Sequence, residues 1–366
     1  MPEPLTYPGV YVEEAVSLSL SVRSGATAVP VIVAGQSASP KSENAKDPFA
    51  EAQRVESWTE FERLNGVFDE AASKNLLAVS VRTYFENGGG PCFIVRKANL
   101  AAQVPGLIDA TLIVAAGEDI KGNLAQLVGK GKLRFAILDA AKTEPNTKTN
   151  NKLDDNLLTS PYAAAYYPYL SAPWTTMLIP PSAAVAGVYC TVDRERGVWK
   201  APANVPLQGG LKPCSVVTDA EQGSFTSGPI AVNMIRDFPG TGTLVWGART
   251  LAADDDNWRY IPVRRLFDAV ERDVRLAANR VMYEPNAAPT WERVRGAIDN
   301  YLHELWRSGG LMGETPKEAY FVHVGLDKTM TRDDITQGKM IVRIGLSPVR
   351  PAEFIVLEFT QDVMPG

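Results

Sequence analysis

The side chains that carry out most enzyme chemistry are scarce in this chain of 366 residues. It has two histidines, His303 and His323, and three cysteines, Cys92, Cys190 and Cys214. None of them shows the C-x-x-C or Cys/His spacing of a structural zinc site, and three thiols cannot build a disulfide framework. Cys190 and Cys214 have no acid–base partner beside them, so we interpret both as small buried hydrophobic residues. We expect no metal and no reactive thiol.

Phosphate-binding and nucleophile motifs are missing as well. The segments GKGKLR, from Gly129, and GTGTLV, from Gly240, hold two glycines of a dinucleotide loop but lack the third. The chain contains no G-x-x-x-x-G-K-[ST] and no G-x-S-x-G. The run Asp254-Asp255-Asp256 predicts a solvated loop, because three consecutive carboxylates cannot point one way. We interpret His303 as a rim residue and place His323 on the outer face of a strand. The sequence therefore predicts no catalytic residue and no cofactor.

One charged pair has a definite structural consequence. Arg264 and Arg265 open an amphipathic helix, where cations oppose the helix dipole. Something must compensate them. The candidates are carboxylates of the same subunit, such as Asp255 and Asp256, or the charged surface of a partner. The sequence leaves both open, and the pair is a candidate charged interface.

Composition limits the class of protein. Hydrophobic residues make up 45% and charged residues 22%, which is typical of a folded chain, and the net charge is -5. That balance gives no general attraction to nucleic acid or to anionic membranes. The first residues have no basic start and no apolar core, and no window approaches the roughly 20 apolar residues of a membrane span. We expect synthesis in a reducing cytoplasm without a signal peptide.

Hydrophobic patterns predict an α/β (α+β) fold. Up to residue 181, short apolar runs typical of buried strands alternate with helical patterns. Ser57, followed by Glu60, predicts a helix start. Residues 187–258 are rich in Gly, Pro, Asn and Trp, and we interpret them as irregular structure or short strands. The last 110 residues predict two amphipathic helices, over 263–281 and from Pro289, followed by strands over 319–326 and 340–346.

Both ends of the chain look like arms. The N-terminal strand is preceded by three prolines and followed by the small residues LSLSVRSG, whereas the C-terminal strand is apolar on both faces and hard to bury in one subunit. The C-terminal strand therefore predicts donation to a neighbour, while the N-terminal one could also be an ordinary edge strand of its own domain. The segments are Val10, Tyr11, Val12 and Glu13 (N-terminal arm); Phe354, Ile355, Val356, Leu357, Glu358 and Phe359 (C-terminal arm); and Ser21, Ser24, Gly25, Pro348 and Pro351 (hinges).

Eight segments spread along the chain have to be considered together: YPGVYVEE, SPYAAAYYPYL, IPPSAAVAGVYCTVDRERGVWKAPAN, VNMIRDFPGTGTLVWGARTL, WRYIPVRRLFDAVERDV, YEPN, AYFVHVGLD and DDITQGKMIVRIGLSPVRPAEFIVLEF. Together they resemble contractile tail sheath proteins, the outer cylinders of contractile phage tails, tailocins and extracellular injection particles. The similarity covers nearly the whole chain in the expected order, although residues 142–156 match no signature of the family and no long inserted domain is present.

The resemblance implies a structural protein, not an enzyme. Sheath subunits stack as hexameric rings around an inner tube, and their arms complete small sheets on neighbouring subunits. The expected partners are copies of itself, the tube protein, and baseplate and terminator or cap proteins, with no direct contact to nucleic acid or membrane. Contraction would draw on energy stored in assembly.

The expected organisation is an arm and linker at 1–24, a central domain at 25–253, a tube-facing domain with a helix pair and a sheet at 254–347, and a second arm at 348–366. The protein would leave the cell as part of a phage tail or released particle. Two alternatives stay open, another structural subunit of that particle (tube or baseplate) and an unrecognised α/β enzyme.

Overall fold

The structure is a computed structural model that describes residues 20–35, 47–69, 71–142, 157–226 and 228–353. Its strands are β1 (Pro30–Ala34), β2 (Gln53–Val55), β3 (Cys92–Arg96), β4 (Leu112–Val114), β5 (Phe135–Asp139), β6 (Ala163–Tyr167), β7 (Leu170–Ala172), β8 (Thr175–Ile179), β9 (Val205–Pro206), β10 (Lys212–Pro213), β11 (Val232–Phe238), β12 (Gly242–Trp246), β13 (Tyr320–Val324) and β14 (Val342–Leu346). Its α-helices are α1 (Trp58–Asn65), α2 (Leu76–Glu86), α3 (Leu100–Gln103), α4 (Leu124–Leu127), α5 (Pro181–Arg196), α6 (Asp219–Thr226), α7 (Ile261–Ala278), α8 (Ala288–Arg307), α9 (Pro316–Ala319) and α10 (Arg332–Thr336).

A mixed sheet in the order β2-β3-β1-β4-β5-β6-β11-β12-β9 forms the centre of the first unit. The strands from β3 to β11 run parallel, and β2, β12 and β9 add antiparallel edges. Side chains of β1 alternate between two separate cores, with Ile32 on one face and Val31 and Val33 on the other. Burial on both faces explains the continuous apolar runs in the sequence and confirms the predicted α/β class.

The short predicted helix start at Ser57 is confirmed. Ser57 caps α1, and its Oγ accepts a hydrogen bond from the backbone N of Glu60 at 3.3 Å. One of the short apolar runs before residue 181 forms β3, and the two predicted C-terminal helices are α7 and α8.

The interpretation of residues 187–258 as irregular was wrong in its first part, where α5 continues to Arg196. This helix is buried on nearly every side between the sheet and α2, so its sequence shows no polar stripe and no helical period. Gly187 makes the contact possible, because a Cβ there would lie 2.5 Å from the carbonyl oxygen of Tyr84 on α2.

The second unit holds the candidate assembly surfaces. Helices α7 and α8 pack with the antiparallel ribbon β13–β14 around a third core, which includes Leu266, Ile298, Leu302 and Val322. Trp199, from the segment after α5, packs against the same core and links the two units. Among the described residues, no helix is both long and apolar enough to cross a bilayer.

Candidate assembly surfaces

The ribbon β13–β14 is a small sheet with one covered face. Its register pairs Tyr320 with Leu346 and Val324 with Val342. Tyr320 and Val322 point into the third core and Val324 is buried on the same face of the strand, while Phe321 and His323 point outward, as the alternation in the sequence predicted. Phe321 is 44% exposed, and its ring centroid lies 4.8 Å from that of His323 in a stacked arrangement.

Both edges of this ribbon can accept a further strand. Within the described ranges, β13 and β14 pair only with each other. A two-stranded ribbon leaves a row of backbone N–H and C=O groups unpaired on each side, which is a template for strand addition. The segments predicted to be donated, residues 10–13 and 354–359, lie outside the described residues. Their pairing therefore stays a prediction.

The linker after the N-terminal arm is fixed to the second unit where it is described. Leu20 and Val22 pack against the third core, and the backbone N of Gly25 donates to Oδ1 of Asp273 at 3.2 Å. Asp273 is itself held by the hydroxyl of Tyr301, which donates to Oδ2 at 2.9 Å. The predicted hinge residues Ser21 and Ser24 are exposed along this path. A pivot among them requires these contacts to break.

A buried ion pair connects the linker to both units. Arg265 on α7 contacts Asp193 on α5, with N–O distances of 2.6 and 3.0 Å, and the two side chains are only 3% and 4% exposed. Thr27 donates its hydroxyl to Asp193 at 2.5 Å and accepts from Arg265 through its carbonyl at 3.2 Å. The ring of Tyr189 lies 4.7 Å from the guanidinium carbon. The positive charge of Arg265 near the start of α7 is therefore compensated by Asp193 of the same subunit.

Arg264 is enclosed in the same way. Its guanidinium carbon lies 4.1 Å from the ring centroid of Trp258 and 5.0 Å from that of Tyr162, and Asp268 accepts a hydrogen bond from it at 2.8 Å. Burial raises the pKa of Asp268 to about 6. The expectation of an exposed charged interface at Arg264 and Arg265 is thus corrected, because both side chains are buried and paired within the chain.

The segment after β14 forms a strap between the two units. Pro348 makes a β-bridge to Leu311 at its start. At its end, Glu353 receives a bidentate ion pair from Arg249, with distances of 2.7 to 3.1 Å, and a hydrogen bond from the hydroxyl of Tyr260 at 3.1 Å. The predicted hinge residues Pro348 and Pro351 therefore lie in a segment that is held at both ends. We call the contacts of Glu353 with Arg249 and Tyr260 the clamp. The predicted strand of the C-terminal arm begins one residue after it, at position 354.

The strap borders a cleft of about 1020 Å³ between the two units. Its walls come from the segment after α5, from α6, β11 and β12, and from the strap itself. Trp199, Trp246 and Tyr260 line it, and each is half-buried. The charged lining residues are Arg196, Lys200, Arg236, Arg350, Asp219 and Glu353.

A buried carboxyl group in the first unit, that of Asp139, joins neighbouring elements. Asp139, at the carboxyl end of β5, accepts hydrogen bonds at 2.8 Å from the backbone N of Gly117, the backbone N of Ser182 and the Ser182 hydroxyl. Burial raises the pKa of this carboxyl to about 6. These bonds tie α5 to the ends of β4 and β5. In the ranges that the structure describes, no group of His, Cys, Asp and Glu is arranged to hold a metal ion.

The interpretation of the cysteines was correct only in part. Cys190 is buried beside the hydroxyl of Tyr84, and burial raises the pKa of its thiol. Cys214 is exposed, contrary to the expectation, because it follows the short edge strand β10.

Three residues that organise these surfaces were missed from the sequence, namely Asp193, Arg249 and Glu353. Each pairs with a residue 72 to 104 positions away, and no local spacing signals such a contact. Asp193 lies in the run DRER, where a solvated helix end is the simplest interpretation.

Known proteins match this chain over different lengths. The phage tail sheath C-terminal domain family matches residues 253–362. The sheath of an extracellular contractile injection system (PVC), solved in the contracted state, is 51% identical, with a TM-score of 0.88 and coverage of 99% of both chains. The helical sheath of the anti-feeding prophage (AFP) in the contracted state is 41% identical, with a TM-score of 0.81 and coverage of 98% of this chain and 100% of that one. The tail sheath protein of Vibrio phage KVP40 is 24% identical over 185 residues, which is 50% of this chain but only 26% of that relative.

Proposed function

The chain belongs to the family of contractile tail sheath proteins, and from that premise we propose that it builds the outer cylinder of a contractile particle. Subunits stack as hexameric rings around an inner tube, and contraction drives the tube through a target envelope. The particle is a phage tail or a released injection particle, assembled in a bacterial cytoplasm. Baseplate and terminator or cap proteins close the two ends of the cylinder.

Among the described residues, the ribbon β13–β14 gives the main support for this proposal. The ribbon β13–β14 has a covered apolar face and two edges that pair with no other described strand. The chain extends beyond Leu20 and Glu353 by segments whose sequences predict strands. Addition of a neighbour's strand satisfies the edges of the ribbon and links copies head to tail, so the contact propagates instead of closing.

The free energy of such a contact is large enough to hold a neighbouring subunit. About five backbone hydrogen bonds contribute roughly 0.5–1.5 kcal/mol each. Burial of the side chains of Ile355, Leu357 and Phe359 adds about 1.5–3 kcal/mol each, against the cost of ordering the arm.

We infer a division of labour along the chain. Residues 1–24 form an arm and linker, 25–253 an outer domain, 254–347 a tube-facing domain, and 348–366 the second arm. Exposed charges on α8 and within residues 327–337 are the candidates for contact with the tube. A charge-reversal scan of these positions that leaves tube binding unchanged would remove them.

In the proposed mechanism the arms stay paired while the bodies of the subunits move. In this mechanism the extended cylinder is kinetically trapped, and contraction gains contacts between bodies. Energy comes from assembly, with no nucleotide and no catalytic step. Because Gly25 and Glu353 are both held by side chains of their own subunit, a pivot at the predicted hinge residues requires the release of these contacts.

Negative-stain electron microscopy tests the proposal. The full chain, co-expressed with its tube protein, should form hollow striated cylinders, and a version that ends at Glu353 should not, although it retains the clamp to Arg249. Two single substitutions inside the C-terminal arm separate the effect of strand pairing from the effect of arm length. Leu357→Asp should abolish cylinders, whereas Glu358→Gln should preserve them. Dispersed monomers of the full chain in the presence of tube would contradict the sheath function, and cylinders of the truncated chain would contradict strand donation.

A further inference from the structure

The cleft beside the strap has the chemistry of a peptide-binding groove. Its aromatic rings are held in place: Trp199 packs between Gly197 and Gly310, and Trp246 lies against Phe238 with ring centroids 4.7 Å apart. Half-buried, pre-positioned aromatic faces suit the rings of an extended proline-rich segment, which loses little conformational entropy on binding.

The cleft also carries an excess of positive charge. Its two carboxylates, Asp219 and Glu353, are paired with Arg236 and Arg249. Among the described residues, none places a carboxylate within 4.0 Å of the charged ends of the other lining cations, which are Arg196, Lys200 and Arg350. Within the part of the chain that the structure describes, the Nζ of Lys200 donates only to the carbonyl of Ala201, at 3.3 Å. The cleft therefore favours an acidic occupant.

We propose that this cleft receives residues 1–8 of a neighbouring copy of the chain. This inference rests on the proposed donation of the N-terminal arm and extends it to the residues that precede the donated strand. The segment MPEPLTYP contains Pro2, Pro4 and Pro8 and the carboxylate of Glu3, and the first basic residue of the chain is Arg23. Proline fixes φ and restricts the residue before it to extended conformations, so the segment is biased toward the shape that an aromatic groove binds.

The topology brings the segment and the cleft together. Strand β14 leads directly into the strap that lines the cleft. A strand added antiparallel to β14 begins beside Leu346, so the residues that precede it continue along the strap. Eight residues of polyproline II span about 25 Å at 3.1 Å per residue. The first strap residue that lines the cleft, Val349, comes three residues after Leu346, so a segment of this length can follow the strap into the cleft. Donation of the strand and docking of its leading segment would then form one continuous contact.

Site-directed crosslinking in assembled cylinders tests the inference. Cysteines at Leu5 (L5C) and at Ala203 (A203C), an uncharged residue that lines the cleft, are introduced on a Cys214→Ser background, because Cys92 and Cys190 are buried. Both Glu3 and Lys200 are left in place. A short bismaleimide should give a ladder of covalent dimers and higher oligomers, at a yield at least tenfold above a control with L5C and Asp109→Cys, an exposed position before β4. Co-assembly of L5C subunits with A203C subunits should give dimers without a ladder.

Each outcome decides the inference separately from the sheath function. Cylinders whose crosslinking yield equals that of the Asp109→Cys control would overturn docking in the cleft while leaving strand donation intact. A crosslinked monomer, with no dimers in the mixed assembly, would show that the segment occupies the cleft of its own chain and would also overturn the inference. Absence of cylinders from the Cys214→Ser parent would instead count against the proposed function.

Discussion

Removal of the Asp193 charge gives the sharpest test of how the two units are held together. Asp193→Asn keeps the shape of the side chain but leaves Arg265 buried without a counter-charge, since these side chains are 4% and 3% exposed. Breaking one partner of a buried pair costs about 3–5 kcal/mol. For 366 residues that unfold together, the entropy of unfolding is about 0.8 kcal/mol per K, so the melting temperature should fall by about 4–6 °C.

The assay is urea and thermal unfolding of dispersed subunits that gel filtration shows to be monomeric. The control is Asp256→Asn, which breaks the pair with Arg259 at 2.7 Å, where the Asp256 side chain is 81% exposed. That change should cost no more than about 1 kcal/mol. The double variant Asp193→Leu with Arg265→Met removes both charges and should recover at least half of the loss. A loss below 1 kcal/mol for Asp193→Asn would refute the idea that this pair stabilises the link between the units.

Three further predictions concern the clamp, the linker and the pH dependence of stability. Glu353→Gln removes the negative charge that pairs with Arg249. The yield of assembled cylinders should therefore fall several-fold, while the free energy of unfolding drops by only about 1–2 kcal/mol. An unchanged yield would show that the clamp does not position the arm. Tyr301→Phe removes the hydroxyl that supports Asp273 beneath the linker, and proteolysis within residues 20–26 should accelerate, a result that equal cleavage rates would contradict. Burial raises the pKa of Asp139 from its ordinary value near 3.8 to about 6. The contribution of this carboxyl group to the free energy of unfolding is therefore fully present below pH 3.8 and is lost as pH rises through 6. Urea unfolding from about pH 4 to pH 7 should therefore show a decline that Asp139→Asn reduces by about 2.4 kcal/mol and that the exposed control Asp109→Asn leaves unchanged.

The sequence by itself determined most of the elements whose own residue order shows the pattern of a strand or a helix. Apolar runs of four to six residues predicted β1 and β3, because a strand buried on both faces is apolar throughout. A 3.6-residue period predicted α7 and α8, because a helix with one exposed face displays its period in the order of its residues. The outward position of His323 followed from the same alternation. Segments spread over the chain also carried the resemblance to sheath proteins, which no single motif did.

Only the tertiary structure decided which surfaces meet. Helix α5 was missed because burial on all sides removes the polar stripe that reveals a helix. The partners of Arg264 and Arg265 could not be assigned from the sequence, since the distance that matters is through space: Asp193 lies 72 residues away, and the rings around Arg264 come from separate segments. The cleft and its strap likewise exist only after β14, Arg249 and Trp199 are brought together. Local sequence fixes the shape of an element, whereas charge compensation and grooves depend on the packing of distant elements.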